Sequence, residues 1–346
     1  MSNWCGRFLE KFERHYEEFE KDEQRLMMCP PRVLGFALDS KTWAQFQVTR
    51  LEPDIGISDE RQLYFEEQLQ LDKTYKELLL AFVTNHVSSR KRQLPSDADT
   101  KDNAPDSLDV VEGKGKGLAI LLHGPPGVGK TLTAETIAMA TGRPLVVVSV
   151  AEIGTKASEA EARLGRILAN ATRWRAVLLV DEADVFLEER ARNDDANRNA
   201  LVSVLLRCLE YYEGIIILTT NRVRSIDIAV QSRMHLAIQY MNLNPKQKLA
   251  IYKNLLAKVP DSRISGTRNS LYRDIENNFC KRNLMNGRQI RNIVTTALAF
   301  AKSDSTGSSR LSYEHLRRVF ETTTDFLESL KELTKSTRER NEAKEL

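Results

Sequence analysis

The chain has 346 residues, enough for about two domains with a sizeable core, and its 41% apolar and 29% charged residues exclude an intrinsically disordered chain. A net charge of +3 is too small to imply a nucleic-acid or membrane partner by itself. The four cysteines (Cys5, Cys29, Cys208, Cys280) lack C-x-x-C spacing and read as reduced thiols, not as a disulfide framework or metal site. No apolar run is long enough to span a membrane, and the N-terminus has neither a secretory core nor an acid-poor presequence. An intracellular protein, of cytoplasm or nucleus, is the expectation.

Residues 1–30 alternate in charge and carry Phe8, Phe12, Tyr16 and Phe19 at helical spacing, so a helix with an aromatic face is expected, ended by Pro30-Pro31. Residues 32–50 are rich in β-branched and aromatic types and suggest two short strands or a hairpin. Tyr64 to Val87 reads as one or two helices, with Leu78, Leu79, Phe82 and Val83 as the buried side. From Ser88 to Gly117 the composition turns to basic, then Ser, Asp, Asn and Pro, then Gly-Lys-Gly-Lys-Gly, a polar insertion. Its Arg90 to Arg92 and Lys114/Lys116 could touch nucleic acid, although short basic runs are usually solvated surface. Beyond it five apolar runs, at Leu118–Leu122, Leu145–Val150, Val177–Val180, Ile215–Leu218 and Leu236–Ile238, alternate with helical patterns. Alternating β and α implies a parallel sheet covered by helices on both faces. After Ile238 every segment reads helical: Pro245–Leu256, Leu271–Phe279, Arg288–Ala301 and Ser312–Leu330, with a charged tail to Leu346.

The chemistry is carried at three strand ends. The first run leads into Gly124-Pro125-Pro126-Gly127-Val128-Gly129-Lys130-Thr131-Leu132, which fits G-x-x-x-x-G-K-[ST] between a strand and a helix. Glycines let the backbone curl around a polyphosphate, and the helix N-terminus adds partial positive charge. Lys130 can reach the β- and γ-phosphates and the Thr131 hydroxyl can hold Mg²⁺. The third run ends in Asp181-Glu182, where Asp181 can hold Mg²⁺ and Glu182 can deprotonate an attacking water. The fourth ends in Thr219-Thr220-Asn221, with Asn221 able to help hold that water. Each has a plainer reading, as a Gly-rich turn, a solvated acidic strand end or a turn former; their succession favours the phosphate reading.

Together these motifs resemble the AAA+ ATPases, in the branch with a second region of homology. The fragments GKGKGL, HGPPGVGKT, AVLLVDEADVFLEER, NRNALVSVLLRCLEYYEG and LTTNRV resemble a group of fungal AAA-type proteins. The resemblance implies a P-loop NTPase sheet of order 5-1-4-3-2 followed by a small all-α lid, with ATP and Mg²⁺ between the two. The expected division is then an α+β N-terminal extension (1–70), the nucleotide-binding domain (71–240, with the insertion at about 88–117), the lid (241–330) and the tail (331–346). Asn221 matches sensor 1. Arg233 aligns with the arginine finger that reaches a neighbouring subunit's γ-phosphate, and Arg288 with the sensor 2 arginine, Arg291 one turn on being its competitor. The family implies a ring of copies, a hexamer, acting on a protein substrate. Two departures stand out: Ala151 to Ser158 holds no aromatic where translocases carry a pore loop, and the finger region shows one arginine where many relatives have two. A nucleotide-gated binding module with little turnover, and a DNA-associated clamp-loader type, are the alternatives.

Overall fold

Five short apolar strands form the centre of the larger of two compact units, which divide between Gly56 and Ile57. The computed structural model describes residues 31–51, 59–91, 117–154, 156–187, 196–222, 226–282, 285–303 and 310–345. The helix expected in residues 1–30, Arg92 and Lys114/Lys116 lie outside them, as do the side chains of Arg90 and Lys91. In the smaller unit β1 (Arg32–Ala37) pairs antiparallel with β2 (Thr42–Gln47), the hairpin expected from its composition. Phe36 and Trp43 meet across it edge to face, with ring centroids 5.6 Å apart.

The larger unit starts with α1 (Asp59–Gln68) and α2 (Lys73–Lys91). Of the four α2 residues expected to be buried, Leu79 and Val83 are fully so, but Leu78 and Phe82 are 39% and 40% exposed. The helix shows one narrow i, i+4 stripe to the layer beneath it, and Leu78 and Phe82 fall to the side of that stripe. It also continues to Lys91, past Ser88, where composition alone begins the polar segment.

The sheet consists of β3 (Leu118–His123), β4 (Leu145–Ser149), β5 (Val177–Asp181), β6 (Ile215–Thr220) and β7 (Leu236–Gln239). All its pairings are parallel and the order is β4-β5-β6-β3-β7. Counted from its first strand this is 5-1-4-3-2, as the resemblance implies. Between the strands run α3 (Lys130–Ala140), the single turn α4 (Val150–Ile153), α5 (Ala157–Arg173), the single turn α6 (Asp184–Leu187), α7 (Ala196–Tyr211) and α8 (Ile228–Gln231). Side chains alternate across each strand, so Leu118, Ile120 and Leu122 pack with α1, α2 and α3, while Ala119 and Leu121 pack with α5 and α7. Both faces are covered, which is why these strands read as continuous apolar runs. Ile217, on central β6, is fully buried. Ile217→Ala is expected to lower unfolding stability by about 2–5 kcal/mol through the cavity it leaves, as urea titration would measure.

Four helices follow: α9 (Pro245–Ala257), α10 (Arg268–Asn278), α11 (Gly287–Ser303) and α12 (Tyr313–Glu345). Asn244 and Gln247 form a capping box at the start of α9, with Pro245 at its first turn, so the helix begins where the sequence signals it. Phe279 organises the core of this layer, stacking on Phe320 at 4.2 Å and on Tyr313 at 5.6 Å between centroids. α12 runs on past Leu330 to Glu345, since the Lys, Glu, Arg and Ala residues that make the tail look unstructured are also good helix formers. The helical layer is tied to α1 and the turn after it: Asn254 Nδ2 donates to Glu67 O at 2.9 Å and Gln247 Nε2 to Gln70 O at 3.1 Å. Among the described residues no helix is long and apolar enough to cross a membrane.

Candidate functional site

A parallel sheet delivers the C-terminal ends of its strands to one edge, and β3, β5 and β6 each end there in a polar turn. After β3 the chain passes through Gly124 to Gly129 before α3 begins at Lys130. Gly127 and Gly129 have φ of +74° and +108°, values that a side chain disfavours, so the loop can curl tightly ahead of the helix. Lys130 is 7% exposed, and its ammonium donates to Gly124 O, Pro125 O and Asn221 Oδ1, each at 2.8 Å. Burial lowers its pKa, against the pull of the Asp181 carboxylate nearby. The cation is thus held at the centre of the strand ends by oxygens alone.

Thr131 Oγ1 lies 3.2 Å from each Asp181 oxygen. Thr219 Oγ1 donates to Asp181 Oδ1 and accepts the Glu182 N–H at 3.0 Å, which locks the end of β5 to β6. Glu182 itself is exposed and has φ of +53°, an uncommon conformation for a residue with a side chain. Pro126 to Leu132, Asp181, Glu182, Asn221 and Arg288 all line one cavity of about 640 Å³, within the ordinary range for small-ligand sites. Gly124 and Pro125 meet the group through the carbonyls that hold Lys130.

Arg233 does not line that cavity. Its Nη2 pairs with Glu210 Oε1 at 2.7 Å and its Nη1 donates to Ala229 O at 2.8 Å, while Nε has no hydrogen-bond partner among the described residues. Arg288 and Arg291 both line the cavity, but they act on different groups: Arg288 is felt by Lys130, Arg291 by Glu135.

Several lining residues go beyond the sequence reading. Thr219 is one, although its position two before Asn221 was a signal. Glu135 is another, four residues after Thr131 and therefore on the same helix face. Burial raises the Glu135 pKa and the Asp181 charge adds to that rise, with Arg291 opposing. At the far end, Tyr64 and Gln68 to Gln70 line the cavity with Ile251, Asn254 and Leu255 of α9 and with Lys258 just after it. Nothing local marks these; only the packing of α9 on α1 brings them together.

Residues 120–241 match the family model described as "ATPase family associated with various cellular activities (AAA)", and residues 243–337 match "Fungal AAA+ ATPase lid domain". The chain belongs to the AAA+ ATPase family. It is 32% identical to the human ATPase family gene 2 protein homolog A over 152 residues, which is 41% of this chain and 17% of that protein. It is 24% identical to the Mitochondrial sorting homolog of Caenorhabditis elegans over 68% of this chain and 76% of that one. The human ATPase family AAA domain-containing protein 3B is 26% identical over 42% of this chain and 23% of its own length. The chain therefore spans about a fifth of either human relative and three quarters of the nematode one.

An AAA+ domain implies a nucleotide, and the donor set fits its usual cation. Among the described residues no group of three or more His, Cys, Asp or Glu could hold a metal. A threonine hydroxyl beside a carboxylate is instead the sparse, hard-oxygen set that suits Mg²⁺, whose shell is otherwise water and phosphate. The Lys130→Ala variant is expected to bind ATP about a hundredfold more weakly, since it loses a charged donor inside the site. Titration with a fluorescent ATP analogue checks this.

Proposed function

We propose that this AAA+ chain hydrolyses ATP to ADP and phosphate with Mg²⁺ as cofactor, and does so in a ring of copies. One observation carries the reading: the Lys130 ammonium, the Thr131 hydroxyl, the Asp181 and Glu182 carboxylates and Asn221 come from separate segments yet share one cavity. In this assignment Lys130 binds the β- and γ-phosphates, and Thr131 and Asp181 hold the cation. Mg²⁺, when bound, offsets charge on the phosphate oxygens. Glu182 accepts the proton of the attacking water. Asn221 Oδ1 accepts from Lys130, which leaves the Asn221 amide N–H₂ to hold that water or a γ-phosphate oxygen. Arg288 reaches the γ-phosphate from the lid. Arg233, turned away from its own cavity, serves the site of the next copy.

A hexameric ring and the remodelling of a protein or complex are the family's usual assembly and work, and we carry them over as part of this proposal. Threading by an aromatic pore loop is not included, because Ala151 to Ser158 has no aromatic residue. An intracellular location, cytoplasm or nucleus, is carried over from the sequence reading as part of the same proposal. Steady-state phosphate release tests the proposal. The rate per subunit is expected to climb with protein concentration as copies assemble, and to vanish when EDTA removes Mg²⁺. A rate unchanged by either dilution or chelation contradicts it.

A further inference from the structure

The first turn of α11 rests on the phosphate loop itself. Gly287 N–H donates to Gly127 O at 2.7 Å, which joins lid to loop backbone to backbone. Neither position has room for a side chain: a Cβ on Gly287 would come within 2.8 Å of Gly127 O, and one on Gly127 within 2.6 Å of Asn286 Cγ. Asn286 is itself held. Its N–H donates to Gln289 Oε1 at 2.8 Å, and its Oδ1 accepts the Gln289 N–H at 3.0 Å, a reciprocal cap.

This contact joins two groups that have to move together. The peptide between Gly127 and Val128 is planar and trans, so Val128 N–H points opposite to Gly127 C=O. Fixing the carbonyl on the lid fixes the direction of an N–H in the loop. On the other side of the bond, Arg288 follows Gly287 directly, and its charge is felt at Lys130. Displacements of about 1 Å in positioning groups can cost about a hundredfold in rate, so a bond without slack at this point matters.

We infer that Asn286 and Gly287 are positioning residues, a latch that holds α11 on the phosphate loop and sets Arg288 over the phosphates. The latch makes lid orientation and loop conformation one variable: a loop shaped for triphosphate holds the lid with Arg288 inward, and a loop that turns its 127–128 peptide lets the lid go. The inference rests on the nucleotide reading above.

The test is the affinity for a fluorescent ATP analogue in wild type, Gly287→Ala, Arg288→Ala and the double variant, with melting temperatures taken without nucleotide. Gly287→Ala is expected to bind about tenfold more weakly while melting within a few degrees of wild type. In the Arg288→Ala background the same change is expected to add about threefold at most, because part of the latch's effect runs through that arginine and only the part carried by the Val128 N–H remains. Gln289→Ala, which loosens the cap without a clash, should weaken binding about threefold and gives the answer if Gly287→Ala does not fold. Gly287→Ala binding as wild type does, or the full tenfold loss persisting without Arg288, overturns the latch alone. A folded wild-type protein that binds no analogue overturns the nucleotide reading and the latch with it.

Discussion

Arg233→Ala is expected to lower steady-state phosphate release by about 10³–10⁵-fold, the range seen where an arginine finger is essential. The effect follows from where the Arg233 side chain lies. It sits outside the cavity of its own chain, bonded to Glu210 and to Ala229 O. A planar guanidinium stabilises charge spreading over phosphate oxygens, and a lysine's point charge does not match that geometry, so Arg233→Lys should recover little. Mixing separates a trans role from a structural one. An Arg233→Ala subunit keeps its own Glu182, and a Glu182→Gln subunit keeps its Arg233, so each variant is silent alone and a mixture should regain activity. If the mixture stays silent while both variants melt like wild type, Arg233 does not serve a neighbour.

Glu182→Gln should cost about 10²–10⁴-fold in turnover with ATP affinity retained, because an amide of the same shape cannot take a proton from water. The conformation of this residue supports its role. The Thr219 hydroxyl fixes its N–H, and its φ of +53° turns the chain sharply after Asp181. The outcome also separates hydrolysis from a nucleotide-gated binding module. Wild type and Glu182→Gln equally silent, both still binding ATP, would favour the module. With hydrolysis as proposed, Glu182→Gln is the natural trap for affinity capture of whatever the protein acts on.

The sheet and the strand-end residues that share its cavity were legible because their signals are local. Leu118 to Thr131 carries strand, loop and helix in one run, and Val177 to Glu182 does the same for the acids. Strand order was not local information; it came with the resemblance, and the pairing of β3 between β6 and β7 agrees. What could not be read depends on tertiary closure. Tyr64 on α1 and Lys258 at the end of α9 are nearly 200 positions apart in sequence, and the approach of the ammonium to 5.8 Å from the ring centroid is fixed by how the lid packs. Leu78 and Phe82 failed for a related reason: an apolar pattern on a helix says that some face is buried, while its neighbours decide which one. Gly287 reads as an ordinary residue at a helix start until the carbonyl of Gly127 is seen against it.

In the proposed site the polyphosphate and its cation lie between the glycine loop and the paired acids. The most direct measurement is a structure of the Glu182→Gln protein with ATP and Mg²⁺. The triphosphate is expected along Gly127 to Thr131, with the cation between Thr131 and Asp181. Nucleotide bound elsewhere, or that cavity empty at saturating ATP, would contradict it.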